Sequence, residues 1–305
     1  MEGNWRWVAL TAVAPLSWGA TYWVTGQALP PDPLWGGVLR ALPAGLVLLV
    51  LPLHQRGRFL RGPWWWRAAV LGTLVNGAFF SLVYASAQLL PSSVAATATG
   101  LSPLVVLALS WPLLAQRPRL ASVAAALVGL LGVVLLVGAA TSGLDPLGVG
   151  AAAAGVVVFA VGTVLSQRWA RRATAAGEPV PSALTMTAWQ LTLSGLLLAP
   201  VAAAVAGPPP TLDGAAVLAL AFVSLVATAL AFTAWFAGLA RLDASAVAVV
   251  GLLNPVAGVA LGTALAGEHL STWQWTGLLL VVAGVVLGQA RRRAVRRVVV
   301  REPAT

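Results

Sequence analysis

Ten apolar runs, each near the length that crosses a bilayer, dominate this sequence and leave little room for any other fold. They fall at roughly 5–26, 34–53, 65–89, 93–115, 120–138, 146–168, 183–206, 214–239, 245–266 and 273–290, punctuated by Arg, Pro, Gly and Asp. A spanning helix takes about 20 apolar residues, so ten of them use roughly 200 residues and leave only short connections. Inside a bilayer the backbone must satisfy its own hydrogen bonds, and a helix does so within each segment. The expected fold class is an all-α polytopic membrane protein with ten transmembrane helices. Composition supports this: 59% of the residues are hydrophobic and 9% are charged, whereas a soluble domain carries about 25% charged residues. An ordinary water-soluble enzyme and a disordered chain are both excluded. The first run reads as a retained span, because it holds Pro15, Trp18, Tyr22 and Trp23 and lacks an A-x-A-like cleavage site.

All 18 basic residues are arginine, and their placement orients the chain. Arg6, then Arg56, Arg58, Arg61 and Arg67, then Arg117 and Arg119, then Arg168, Arg171 and Arg172, then Arg241, and finally the tail from Arg291 to Arg301 all fall on one side of a ten-span layout. The opposite connections hold Asp32, Asp145, Asp213, and Glu268 with His269. The positive-inside rule then puts both termini in the cytoplasm. The net charge of +10 is an insertion signal, with some attraction of the tail for anionic lipid, rather than a nucleic-acid footprint. Tryptophans at run ends, such as Trp5, Trp7, Trp64, Trp65, Trp66, Trp273 and Trp275, read as an interfacial belt.

The sequence also repeats. A shift of 152 positions lays Tyr84–Val137 on Phe236–Gln289 without a gap, matching Leu90, Ser93, Ala96, Leu101 and Pro103 to Leu242, Ser245, Ala248, Leu253 and Pro255. Near the start of each half the shift is about 150, which sets Arg40 against Gln190 and Gly45 against Gly195. Each half then holds five helices, residues 5–138 and 146–290, followed by a basic tail at 291–305. Five is odd, so the second copy enters the membrane inverted, an arrangement in which two halves rock about a midplane site.

Several stretches resemble the drug/metabolite transporter superfamily. They are Trp18-Gly19-Ala20-Thr21, Arg40, and Leu253-Asn254-Pro255 followed by Ala266-Gly267-Glu268-His269-Leu270-Ser271. The resemblance covers about residues 10–290 as two EamA-type repeats. Tyr22-Trp23-Val24-Thr25, Leu29-Pro30-Pro31-Asp32 and Arg40-Ala41-Leu42-Pro43-Ala44-Gly45 are similar to the PecM-like branch. That branch is associated with efflux of pigments or metabolites, which implies an exporter in a bacterial inner membrane. In the first half, Gln116-Arg117-Pro118 stands where the family pattern carries a Glu.

The residues offer a substrate path. Arg40 is the charge inside a span; its planar fork suits a carboxylate or phosphate, or else it snorkels outward or braces the fold through helix carbonyls or Asp32. Asn76, Phe80, Tyr84 and Gln88 recur every four residues and form one stripe, read as substrate lining or as interhelical hydrogen bonding. Ser17, Thr21 and Thr25, and likewise Trp18 and Tyr22, repeat that pattern in the first run, where the two rings pack over a substrate or simply fill the bundle. Pro103 and Pro255 are expected to kink their helices and free the carbonyls of Thr99 and Gly251 beside Ser102 and Asn254. Gln190, Thr228 and Trp235 complete the candidate substrate-binding set. Gly258-x-x-x-Gly262 and Gly284-x-x-x-Gly288 are expected to pack the last two spans together in one subunit, with a homodimer contact as the alternative. Glu268 and His269 at the external mouth read as a solvated loop pair, with gating or proton sensing as the alternative.

What the chain lacks narrows the chemistry. With no cysteine or lysine there is no thiolate, Schiff-base or P-loop chemistry. His54 and His269 lie far apart, so no metal cluster can be drawn, and no cofactor or catalytic residue is expected. The chain reads as a non-enzymatic, inner-membrane exporter of small metabolites working by alternating access, as a monomer or homodimer. Amino acids and related zwitterions are the expected substrates, with Arg40 on the carboxylate and Trp18, Tyr22 and Tyr84 on the less polar part. An exporter of aromatic pigment or drug-like compounds is the alternative, and a non-transporting membrane regulator a further one.

Overall fold

The computed structural model describes residues 4–50, 59–114, 120–138, 143–242, 247 and 250–299. Among these the regular elements are all helices, and no strand is present. In chain order they are α1 (Asn4–Ala28), α2 (Pro33–Val50), α3 (Trp64–Leu89), α4 (Ser92–Thr99), α5 (Ser102–Leu114), α6 (Leu120–Gly138), α7 (Pro146–Ala175), α8 (Ala183–Ala206), α9 (Gly214–Leu239), α10 (Leu253–Leu265) and α11 (Thr272–Val299). Among the described residues six units are long and apolar enough to cross a bilayer: α2, α3, α4 with α5, α7, α8 and α9; α10 is a shorter apolar helix. Leu46, Leu130, Leu197, Leu218 and Leu279 are exposed on the outside, as expected where the surrounding medium is lipid rather than water. The architecture is that of a polytopic helical membrane protein. The connections with Arg56, Arg58, Gln116, Arg117 and Arg119, and residues 300–305 of the basic tail, lie outside the described residues.

The acidic residues of the arginine-free connections have structural employment. Asp32 Oδ1 accepts from the Trp35 N–H at 3.1 Å, opening α2. Asp145 Oδ1 accepts from the Leu147 N–H at 2.7 Å, opening α7 behind Pro146. Asp213 Oδ1 accepts from the Ala216 N–H at 2.8 Å, opening α9. A helix N-terminus leaves donors without intrahelical partners, and a carboxylate there also suits the dipole. Two helices outrun their apolar stretches: α7 continues to Ala175 and α11 to Val299, because arginine is a good helix former. α7 stops where Gly177 takes φ +70° and the Glu178 N–H reaches the Ala173 carbonyl at 2.9 Å.

At Pro103 and Pro255, where kinks are expected, the regular helix is interrupted just before the proline. The chain leaves the helix at Gly100 and Leu101 and starts again at Ser102, and it turns at Leu252 before α10 starts at Leu253. Each proline thereby sits in a first turn, where its missing N–H is no loss and its ring does not clash with the carbonyl four residues back. The Thr99 carbonyl stays engaged by Ser102 Oγ at 2.6 Å.

The packing between the two parts of the chain is reciprocal. α2 crosses α8 so closely that a Cβ on Gly45 would lie 2.5 Å from the Thr192 nitrogen, while one on Gly195 would lie 2.6 Å from Leu42 Cβ. Residues 42 and 45 are each 150 positions from residues 192 and 195, so each glycine faces the counterpart of the other's contact. Ser224 Oγ of α9 donates to the Arg40 carbonyl at 3.0 Å, and Gly72 of α3 abuts the carbonyl of Gln190. α1 packs on α9 and α10, and α7 packs on α3 and α5. Both α3 and α9 contain a π-helical stretch, Thr73–Ala78 and Phe222–Leu230. Gly258 contacts α4 at Ala96 and Gly262 contacts Glu268, so these two glycines serve α4 and the following turn rather than α11.

Candidate functional site

Arg40 is 8% exposed and sits eight residues into α2. Its Nε donates to Thr228 Oγ1 at 3.1 Å, and its guanidinium carbon stands 4.0 Å from the centre of the Phe80 ring. The reason Thr228 is available lies in the π-helical stretch. There its hydroxyl donates to the carbonyl of Val223, five residues back, at 2.8 Å, which points the oxygen lone pairs at α2. π segments of this kind recur at functional sites. Among the described residues no hydrogen bond is made by the two terminal guanidinium nitrogens. One edge of the fork is held, one face rests on an aromatic ring, and the outer edge keeps the geometry that grips a carboxylate in two bonds.

Tyr22 lies close enough to Arg40 to interact electrostatically. Its hydroxyl is hydrogen-bonded to Thr99 Oγ1, at the end of α4 where the helix breaks. Asn254 stands beside Tyr22 from the equivalent break before α10, and its Oδ1 is buried without a hydrogen-bond partner. Trp18, one turn before Tyr22, packs against Phe232 and Trp235 of α9 with ring centroids 5.7 and 5.4 Å apart. Trp235 in turn covers Gly251, where an added Cβ would lie 3.4 Å from its ring. A cation, hydroxyls, an amide and aromatic rings therefore converge from α1, α2, α3, α9 and the two helix breaks.

The remaining candidates are placed elsewhere. Tyr84 donates to the Pro30 carbonyl, and Gln88 Nε2 donates to the carbonyls of Thr25 and Leu29 at 2.7 and 3.0 Å. These two bind the end of α1 to α3, well along the stripe from Phe80. Thr21 is buried and donates to Ser17 within α1 at 3.1 Å. Gln190 and Asn76 lie at the crossing of α3 and α8, where Gly72 meets Gln190 and Gly77 meets Ser194. Asn76 is 1% exposed and its Nδ2 has no hydrogen-bond partner.

Sequence reasoning passed over Ser224 and Phe232. The repeat contained the signal: counting 152 positions onward, Gly72 leads to Ser224 and Phe80 to Phe232. It also missed the role of Glu268, a half-buried residue of the connection after α10. Its Oε1 accepts from the Ser92 N–H at 2.6 Å and its Oε2 from the Ser93 N–H at 3.1 Å, capping α4. The residues around it serve that placement. Gly267 takes φ +66° and closes α10, and the Glu268 N–H returns to the Gly262 carbonyl at 3.0 Å. Ser271 and Gln274 then exchange bonds at 2.8 and 3.3 Å as a capping box for α11.

Comparison with known proteins gives concordant results. The family model of the EamA-like transporter family matches residues 5–138 and 146–288. Protein PecM of Dickeya dadantii (strain 3937) is 33% identical over 290 residues, covering 93% of this chain and 94% of that protein. The uncharacterized inner membrane transporter YedA of Escherichia coli (strain K12) is 28% identical, covering 88% and 86%. A probable amino-acid metabolite efflux pump of Salmonella typhimurium is 30% identical over 193 residues, 59% of this chain and 62% of that one. A solved crystal structure superposes with a TM-score of 0.65 at 25% identity, covering 96% of this chain and 99% of the other.

Proposed function

This chain belongs to the EamA-like transporter family, and on that premise we propose that it exports small carboxylate-bearing metabolites, amino acids and related zwitterions foremost, across the inner membrane. The observation that carries the reading is the Arg40 guanidinium, held from behind by Thr228 and Phe80 with its terminal nitrogens unengaged. A cation fixed on one edge is preorganised for an anion on the other, so little side-chain ordering is left for binding to offset. The carboxylate meets Arg40, Tyr22 and Asn254 flank it, and Trp18, Phe232 and Trp235 take the less polar part. The relative named an amino-acid metabolite efflux pump supports the same class.

Ten spans with both termini cytoplasmic, in two inverted five-helix halves at 5–138 and 146–290 with a basic tail, form the framework of this proposal. The reciprocal contacts of Gly45 with Thr192 and Gly195 with Leu42 support it, as do the matched π-helical stretches and the matched breaks before Pro103 and Pro255. The site then lies where α2 and α3 of one half meet α9 of the other, which is where rocking exposes it alternately. A second reading, export of aromatic pigment or drug-like compounds, is favoured by the Trp18, Phe232 and Trp235 wall.

Thermal unfolding of the purified protein in detergent separates the two. A ligand that binds only the folded state raises the midpoint by mass action. Amino acids are expected to raise it, their decarboxylated amines are not, and Arg40→Gln is expected to remove the response. Stabilisation by aromatic dyes alone, unchanged in Arg40→Gln, overturns the carboxylate reading in favour of the second.

A further inference from the structure

The cap on α4 comes from an unusual distance. Asp32, Asp145 and Asp213 each cap the helix that follows them in the chain, whereas Glu268 reaches across 176 and 175 positions to Ser92 and Ser93. α4 needs it, because the residue before Ser92 is Pro91, which supplies no side-chain cap. Gly262 is required as well: a Cβ there would lie 2.5 Å from Glu268 Oε2 and 2.9 Å from Oε1. Just inside this cap α4 and α10 touch through Ala96 and Gly258. One carboxylate thus joins the two parts of the chain at the end of the helices remote from the arginine-rich connections.

We infer that Glu268 is a latch that holds the outer end of the transporter shut. This rests on the two-half, alternating-access reading above. The carboxylate grips two backbone N–H donors through both oxygens at a helix N-terminus, where its negative charge is favoured. An amide in its place carries no charge and sets a donor against a donor, so loss of the carboxylate shifts the population toward opening. The sequence of α4, of α10 and of the first turns of α11 contains no charged residue. The position 152 residues earlier is Gln116, an amide without that charge.

The absence of native cysteine makes the test direct. Ser102→Cys reports access to the buried break between α4 and α5, Pro209→Cys serves as an exposed external reference, and both are labelled in cells with a membrane-impermeant maleimide. The ratio of the two rates is the readout. The ratio is expected to rise about tenfold at neutral pH in Glu268→Gln, to rise similarly in Gly262→Ala, and to return toward the parent in Glu268→Asp. An unchanged ratio in a Glu268→Gln protein that still melts like the parent overturns the latch. Labelling of Pro209→Cys only in inside-out vesicles overturns the orientation instead, and the ratio measured in those vesicles then decides the latch.

Discussion

Equivalent positions in the two parts of the chain carry different chemistry, and the difference falls at the site. On one side Arg40 is held by Thr228; the counterparts 150 and 152 positions away are Gln190 and Asn76, and the Asn76 Nδ2 has no hydrogen-bond partner. Phe80 and Phe232 match, but Phe80 lies under a guanidinium and Phe232 against Trp18. Thr99 bonds Tyr22, whereas its counterpart Gly251 leaves room for Trp235. The crossing of α2 and α8 is reciprocal, and the side chains around the candidate site are not. A repeated backbone supplies the frame, and polarity is added by substitution at a few positions, with a cationic pole on one side and an aromatic wall on the other.

The strongest way to break this comparison is to erase it. Arg40→Gln makes both positions glutamine and is expected to weaken carboxylate binding by roughly 2–5 kcal/mol, the cost of removing one partner of a buried charge pair; isothermal titration in detergent reads it. Arg40→Lys is expected to restore little, because an ammonium lacks the planar fork. Thr228→Val keeps the volume but strips Nε of its acceptor, with an expected loss of about 1.5–3 kcal/mol of stability for a bond to a charged group, seen in thermal unfolding. Gly45→Ala and Gly195→Ala should each cost about 1–3 kcal/mol through overpacking, and by similar amounts; a clear inequality would dispute the reciprocity of the α2–α8 crossing. The smallest effect is expected from Gln88→Leu, which loses two bonds to the end of α1 at about 0.6–2 kcal/mol and leaves carboxylate affinity unchanged.

The acids and the aromatic belt refine the picture from the surface inward. Trp5, Trp66, Trp273 and Trp275 are exposed near helix ends as the belt requires, but Trp64 is buried and donates to the Pro179 carbonyl at 3.2 Å. Arg67 shows how a cation is accommodated there. Its Nε and Nη1 are buried without hydrogen-bond partners, with Trp64, Trp66 and Trp169 rings 4.8, 5.7 and 6.0 Å away. Ring faces compensate in part for the missing acceptors. Arg40 differs in keeping a hydrogen bond on one side only, which leaves capacity for a ligand.

Much of this was legible from the chain alone. Run length and charge sorting fix a helical membrane protein, since burying an unpaired backbone in lipid is too costly for alternatives, and the 152-residue shift exposes the matched prolines and the Arg40–Gln190 pairing. What only the tertiary structure decided is who meets whom. Helical periodicity puts Phe80, Tyr84 and Gln88 on one stripe, yet Phe80 supports Arg40 while Tyr84 and Gln88 bind the end of α1. The sequence places Glu268 in a connection; the fold carries it to a helix that begins at Ser92, more than half the chain away. The physical reason is that local rules set the direction a side chain takes from its own helix, whereas its partner is chosen by helix crossings, and those depend on glycines such as Gly45, Gly72 and Gly262 whose purpose is visible only once the opposing backbone is beside them.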